Sequence, residues 1–362
     1  MKRFLIVSSE YGNGHKTPAE ALRDELVGRG ADARILLFSD IIGASAERVS
    51  KRIHAFATAH LPFIHRGIAA VTDSETVLAT ISNLIPQNIT DGIERTIAAY
   101  RPDYVVATYP AANRIIARYK DEYGFKLVSV VTDLLSVHTY WMEAETDAYV
   151  VPLPETVKTL RALGAPRSRI HALGYPLREG FSERKEKEEV RGKLALPHEA
   201  FVIVYMLHSA PDPFALKLAE KICAKKNMIL VALCGNDKKL ARKFAKRVPR
   251  ARTLGFIPNV DEYLAAADLA IGKAGTGFLM ECAASGCPTI ITKYLKPQEE
   301  GNVRIFKKKK FGFVETSEAK AFRRVMKLRR ESPAVRKNRS ARMRAFAPTD
   351  AARAITDFLL HW

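Results

Sequence analysis

The segment SSEYGNGHKTPAEAL, Ser8 to Leu22, sets one imidazole, His15, behind Gly12 and Gly14 and just ahead of a helical stretch. Thr17 and Glu20 stand in the S/T-x-x-E relation of a capping box, with Pro18 at the favoured first helical position. A helix is therefore expected to begin at Pro18, with Gly12 to His15 forming the turn before it. Glycines in such a turn let a ligand approach the backbone, and a helix N-terminus favours negative charge. An imidazole there can serve as a general base, because its pKa lies near working pH. A histidine that only hydrogen-bonds its own loop is the plainer alternative. The spacing is not G-x-G-x-x-G, which leaves a dinucleotide site weakly supported.

A second glycine-rich turn lies in DLAIGKAGTGFLMECAASGCP, Asp268 to Pro288. Gly272, Gly275 and Gly277 separate a strand from a helix that should end near Gly286, a good C-cap. Backbone N–H groups from Gly275 through Thr276 and Gly277 to Phe278 suit a diphosphate, with Lys273 as counter-charge. The segment lacks the GK[ST] ending of an ATP-binding P-loop. Glu281, one helical turn in, is placed to accept hydrogen bonds from ribose hydroxyls, or else is a solvated helical carboxylate. A third cluster follows the strand in VVTDLLSVHTYWMEAETDAYVVP, Val130 to Pro152. Asp133, His138 and Trp141 there read as a substrate-facing rim, the alternative being a capping aspartate and a core tryptophan.

The elements that must hold these residues are legible as short β-branched runs alternating with helical stretches. Phe4–Val7, Ala33–Phe38, Asp103–Thr108, Lys126–Thr132 and Asp147–Val151 form one series of buried parallel strands. Phe201–Leu207, Met228–Cys234, Asp268–Gly272 and Pro288–Thr292 form a second. Two series imply an α/β chain with two parallel sheets. The charged stretch Gly174 to Leu194 between them reads as a linker. The division expected is 1–174, 175–345 and a final segment 346–362. In that last segment Ile355, Phe358, Leu359 and Trp362 share one helical face, so a helix docked toward the first domain is expected.

The chain has 362 residues, 47% hydrophobic and 27% charged, which suits a soluble globular protein and argues against disorder. Its longest apolar runs are too short to span a bilayer, and no signal peptide is visible after Met1. Cys223, Cys234, Cys282 and Cys287 match no metal or redox spacing and read as buried thiols in a reducing cytoplasm. Lys and Arg outnumber Asp and Glu by 58 to 39, a formal charge of +19. Lys307 to Lys310 are consecutive, and Lys320 to Arg344 hold eleven basic side chains against Glu331 alone. An anionic partner is expected from that asymmetry. Nucleic acid is not, since no motif or aromatic–basic interleaving supports it. The apolar, acid-poor stretch Ile53 to Val71, with Phe56 and Phe63, reads as a core helix broken at Pro62 or as an amphipathic segment touching acceptor or membrane.

Taken in order, these blocks resemble the glycosyltransferases that make monogalactosyl- and processive glucosyl-diacylglycerols and, more distantly, the N-acetylglucosaminyltransferase that makes lipid II. The likeness covers most of the chain. YGNGH from Tyr11, TDL with the following H, W and D from Thr132, GYPLREGF, CGNDKKL, GFIPNVDEYLAAADLAIGKAG and QEEGN carry it. It implies two Rossmann-like domains facing across a cleft, the glycosyltransferase B fold. It further implies inverting, metal-independent hexose transfer from a UDP-sugar to diacylglycerol or a related lipid at the inner face of the cell membrane, with no cofactor. A polyprenyl-linked or small soluble acceptor, or a non-catalytic binding protein on this fold, stays open. Carried over by position, His15 deprotonates the acceptor hydroxyl, with Gly14, Asp133, His138 and Trp141 nearby. Phe256 and Ile257 flank the uracil, Lys273 and Gly275 to Gly277 meet the diphosphate, and Glu281 binds the ribose. Gln298, Glu299 and Asn302 face the sugar. Three donor-side positions depart from the family pattern: Tyr205 to Phe214 holds no glycine, the GPGT-like turn reads GTGF, and Pro297 replaces a glycine.

Overall fold

The computed structural model describes residues 1–9, 13–38, 40, 87–207 and 212–362. Phe56, Phe63 and the rest of Ile53 to Val71 lie outside the described residues, as do Gly12 and 208–211. The chain divides into two compact units. Unit 1 comprises Met1–Arg178, Leu295–Gly301 and Asp350–Trp362; unit 2 comprises Glu179–Tyr294 and Asn302–Thr349.

Unit 1 is built on a six-stranded sheet ordered β2-β1-β3-β4-β5-β6. Its strands are β1 (Arg3–Ser8), β2 (Asp32–Leu37), β3 (Tyr104–Ala107), β4 (Lys126–Val130), β5 (Ala148–Val151) and β6 (Ile170–Ala172). All pair in parallel, and the central strands are buried on both faces, which is why they read as unbroken Val, Ile and Leu runs. One face of the sheet packs Leu22 and Leu26 of α1 (Asn13–Gly28). The same cluster takes in Ile355 and Leu359 of α14 (Ala351–His361), the last helix of the chain. The opposite face packs Ile93 and Ile97 of α2 (Gln87–Tyr100) and Ile115 and Ile116 of α3 (Pro110–Ala117).

Helix α1 corrects the expected start. It begins at Asn13, not Pro18, so His15 lies in its first turn and Pro18 is internal. An internal proline lacks the N–H that would bond the carbonyl four residues back, here Gly14, and its ring crowds that carbonyl. The Gly14 carbonyl instead accepts a hydrogen bond from the Tyr175 hydroxyl at 2.9 Å.

Unit 2 carries a second parallel six-stranded sheet, ordered β12-β11-β10-β7-β8-β9. Its strands are β7 (Phe201–Met206), β8 (Met228–Leu233), β9 (Arg252–Leu254), β10 (Leu269–Lys273), β11 (Thr289–Lys293) and β12 (Gly312–Val314). The stretch read as a linker is folded: Lys187–Lys193 form α6, which buries Val190 and Arg191. Two of its charges are spent on one carboxylate. Arg191 and Lys187 both reach the Asp268 carboxylate, at 2.7 and 2.6 Å, and Arg191 also donates to the Ala266 carbonyl.

Part of the basic run is likewise structural. In α13 (Pro333–Phe346) Arg339 pairs with both Glu331 oxygens at 2.7 and 2.8 Å, and Arg344 donates to the Ser285 carbonyl. Lys307, Lys308, Lys320, Arg323, Lys327, Lys337 and Arg342 remain exposed. Cys234, Cys282 and Cys287 are buried free thiols and Cys223 is half-buried.

Candidate active site

In a parallel sheet the carboxyl ends of neighbouring strands diverge where the connections switch direction, and ligands bind there. In unit 1 that point lies between β1 and β3, because β1 has β2 on its other side. The chain leaving β1 enters α1 and presents His15 at this place. Its Nδ1 lies 3.0 Å from the Thr108 carbonyl after β3 and 2.9 Å from the Thr132 hydroxyl after β4. A carbonyl only accepts, so Nδ1 carries the proton and Nε2 holds the lone pair. The Tyr109 ring stands edge-on at 5.3 Å. Burial draws the imidazole down to about 4, and the Thr108 bond opposes that only in part. His15 is thus neutral near pH 7, with Nε2 able to take a proton.

Asp133 follows Thr132 and is buried. Its Oδ2 accepts from the Trp141 indole N–H at 2.8 Å. Trp141 is 0% exposed and belongs to the core with Val131, Tyr149 and Leu160. It therefore cannot lie on an acceptor or membrane rim; an indole this large is held by its packing and points its one donor at the carboxylate. His138 opens a 3-10 turn, Thr139–Trp141, and its Nδ1 accepts from the Tyr140 N–H at 3.1 Å. In its neutral form it therefore carries its proton on Nε2 and is a donor, the reverse of His15.

Burial is the largest influence on Asp133 and pushes it up to about 6. The Trp141 and His138 N–H bonds pull the other way, and the Glu299 charge adds to the rise. A carboxyl whose pKa is higher folded than unfolded contributes stability below its ordinary 3.8 and loses it as pH rises through about 6. Asp133→Asn is accordingly expected to be the more stable protein above pH 6, by about 2–3 kcal/mol, with the two converging near pH 3.5. The depressed pKa of His15 acts with the opposite sign but is common to both proteins and cancels. Urea melts at stepped pH check this, and a gap that fails to widen between pH 4 and 7 refutes it.

The turn expected to hold a diphosphate sits at the switch point of the second sheet, after β10, which lies between β7 and β11. Helix α10 (Thr276–Ser285) starts there with Gly275 as its N-cap and no side-chain cap bond, and Gly286 ends it in the left-handed conformation at φ 68°. Gly272 is required as glycine: a Cβ there would lie 2.8 Å from the Phe278 ring. Asn302 is buried and donates to the Ala274 carbonyl at 3.0 Å and the Thr276 hydroxyl at 3.1 Å. Its amide N–H groups hold the loop rather than face a sugar, because a buried amide is spent on the nearest carbonyls. Glu281 is buried, not a solvated carboxylate.

The remaining candidates separate. Phe256 is 63% exposed after β9, with Ile257 half-buried beside it. Gln298 is exposed, whereas the buried Glu299 accepts the Leu295 N–H at 2.7 Å and closes its own turn. Gly14 has no atom within 4 Å of where a Cβ would stand. Thr108 and Thr132, both bonded to His15, were not singled out by residue type or spacing. Among the described residues no group of three or more His, Cys, Asp or Glu could hold a metal, and no helix is long and apolar enough to cross a membrane.

Residues 15–177 match the sequence profile described as monogalactosyldiacylglycerol (MGDG) synthase, and residues 213–352 that of the glycosyltransferase family 28 C-terminal domain. A probable monogalactosyldiacylglycerol synthase of Glycine max is 26% identical over 325 residues, covering 83% of this chain and 60% of its own. A processive diacylglycerol beta-glucosyltransferase of Bacillus licheniformis is 24% identical over 324 residues, covering 84% of this chain and 81% of its own. The chain thus spans about 60% of the length of the first plant relatives it matches. The solved structure of the glycotransferase of kitacinnamycin superposes with a TM-score of 0.66 at 15% identity, over 99% of this chain and 98% of the other. At that identity the likeness shows the fold, two Rossmann-like units of the glycosyltransferase B type.

Proposed function

We propose that this chain belongs to the family of monogalactosyldiacylglycerol synthases and diacylglycerol glucosyltransferases and moves a hexose with inversion from a UDP-sugar to the hydroxyl of diacylglycerol or a related lipid. The observation that carries the reading is the place of His15 Nδ1, 3.0 Å from the Thr108 carbonyl, from which the tautomer follows. A neutral imidazole whose Nε2 is the free base, at a sheet switch point, fits deprotonation of a neutral alcohol.

In the step proposed, the acceptor oxygen attacks the anomeric carbon as the bond from that carbon to the UDP oxygen breaks. The hydroxyl proton passes to His15 Nε2. A base with a pKa near 4 suffices, because the hydroxyl becomes strongly acidic once its oxygen begins to bond to carbon. The new imidazolium is stabilised by its Nδ1–H bond to the Thr108 carbonyl. UDP leaves as an anion. N–H groups of the first turn of α10 and the Lys273 ammonium supply the opposing charge, and Asn302 keeps that loop in place. Phe256, unusually exposed for its size, offers a face for the uracil, with Ile257 beside it. Glu281 is assigned to the ribose, His138 Nε2–H and Asp133 to the acceptor, and Gln298 to the sugar. Exposed basic residues would draw the protein to an anionic membrane surface, on the cytoplasmic side where nucleotide sugars are made.

Radiolabelled UDP-glucose and UDP-galactose, each offered with diacylglycerol in anionic vesicles, test the reading. Label in the lipid fraction supports it; none with either donor, from folded protein, rejects it. Phe256→Ala is expected to weaken UDP about tenfold through the lost stacking face. An exposed ring contributes little to folding, so its melting temperature should not move. Calorimetric titration of UDP reads the first and thermal melting the second.

A further inference from the structure

Pro18 and Tyr175 lie far apart in the sequence but meet at one atom. Helix α1 runs through Pro18, so the rung from residue 18 to the Gly14 carbonyl cannot form. That carbonyl is taken by the Tyr175 hydroxyl at 2.9 Å, donated by a side chain 1% exposed that enters just after β6. The residue after Gly14 is His15. Its ring is fixed at Nδ1 by Thr108 and Thr132, and its backbone belongs to the turn that Tyr175 holds.

We propose that Tyr175 is a positioning residue, its hydroxyl standing in for the backbone rung that Pro18 deletes and so fixing the turn that presents His15. The arrangement is specific. A phenylalanine would fill the same volume and keep the same packing, yet leave the Gly14 carbonyl without this donor. Restoring an N–H at position 18 would supply the missing rung from the helix itself. A core tyrosine whose hydroxyl served only stability would show no such exchange with Pro18. The catalytic consequence rests on the transfer reading above; the effect on the imidazole does not.

The test uses the full chain with ¹⁵N-labelled histidine and compares the parent, Tyr175→Phe, and Tyr175→Phe with Pro18→Ala. Long-range ¹H–¹⁵N spectra report which His15 nitrogen carries the proton, whether or not any donor turns over. The parent is expected to show the proton on Nδ1. Tyr175→Phe should give a mixture of tautomers and lower kcat roughly tenfold, leaving the donor KM within about twofold, as for a displaced catalytic group. The double variant should recover the parental tautomer and most of kcat. Parental spectra and parental kcat in Tyr175→Phe overturn the proposal, as does a double variant that is no better than the single one or does not fold. If the parent turns over no donor, the spectra still decide on Tyr175 while the transfer reading alone falls.

Discussion

His15→Ala is expected to lower turnover roughly 10²- to 10⁴-fold, the usual contribution of a positioned general base, and to leave UDP affinity within about twofold. The two readouts separate because of where the residue sits. His15 belongs to unit 1 and bonds Thr108 and Thr132, whereas the groups assigned to UDP belong to unit 2. The substitution also removes the two contacts that Nδ1 makes, so His15→Asn is the sharper companion: its amide can still donate to the Thr108 carbonyl but offers no basic nitrogen. Both variants should be equally slow. If His15→Asn recovered turnover, the ring would be acting as a strut and not as a base. Steady-state transfer with a fixed donor and isothermal titration of UDP supply the two numbers.

The second large effect is on folding. Asp268→Ala is expected to destabilise unit 2 by about 3–5 kcal/mol, because it strands a buried guanidinium. Asp268 accepts the Val202 N–H at 2.8 Å, binds Arg191 at 2.7 Å and Lys187 at 2.6 Å, and has Arg336 at 3.9 Å. Arg191 itself is 4% exposed. Removing the carboxylate leaves that cation with two carbonyls, of Ala266 and His198, and no opposing charge. Asp268→Asn keeps an acceptor for Val202 and should lose less. In a unit of this size the alanine variant should melt roughly 10 °C lower. Calorimetry decides, and an alanine variant as stable as the parent would show the cluster to be screened by water.

The residues assigned to the chemistry were easier to read than the contacts that aim them. His15, Asp133 and the Gly275 turn stand out by type and by position after apolar runs. Their partners do not. Thr108 and Thr132 reach His15 only because β3 lies next to β1 and β4 next to β3, and strand order is not written in any local pattern. Pro18 misled for the same reason: the rule that places proline at a helix start is local, while the donor that lets α1 run through it comes from Tyr175. Long central strands announced themselves as runs of Val, Ile and Leu. Three-residue edge strands did not; Ile170–Ala172, Arg252–Leu254 and Gly312–Val314 are too short to show a period and include His171 and Arg252. Lys187–Lys193 read as part of a linker because nothing nearby shows that Asp268 collects Lys187 and Arg191. Trp141 could be weighed either as rim or as core, and only its burial decides.

The sheet of unit 1 is finished by the final helix, whose Ile355 and Leu359 cover the same layer as Leu22 and Leu26. During synthesis that layer must wait. At ribosomal speeds of roughly 5–20 residues per second, on the order of 15–60 s separate the appearance of Leu26 from that of Ile355. Throughout the interval that side of the nascent sheet lacks the cover Ile355 and Leu359 provide, and apolar surface left open in this way favours aggregation. Any shortened form lacking residues 351–361 would keep that surface open for good, and should collect in inclusion bodies even though every residue of the proposed acceptor site is present.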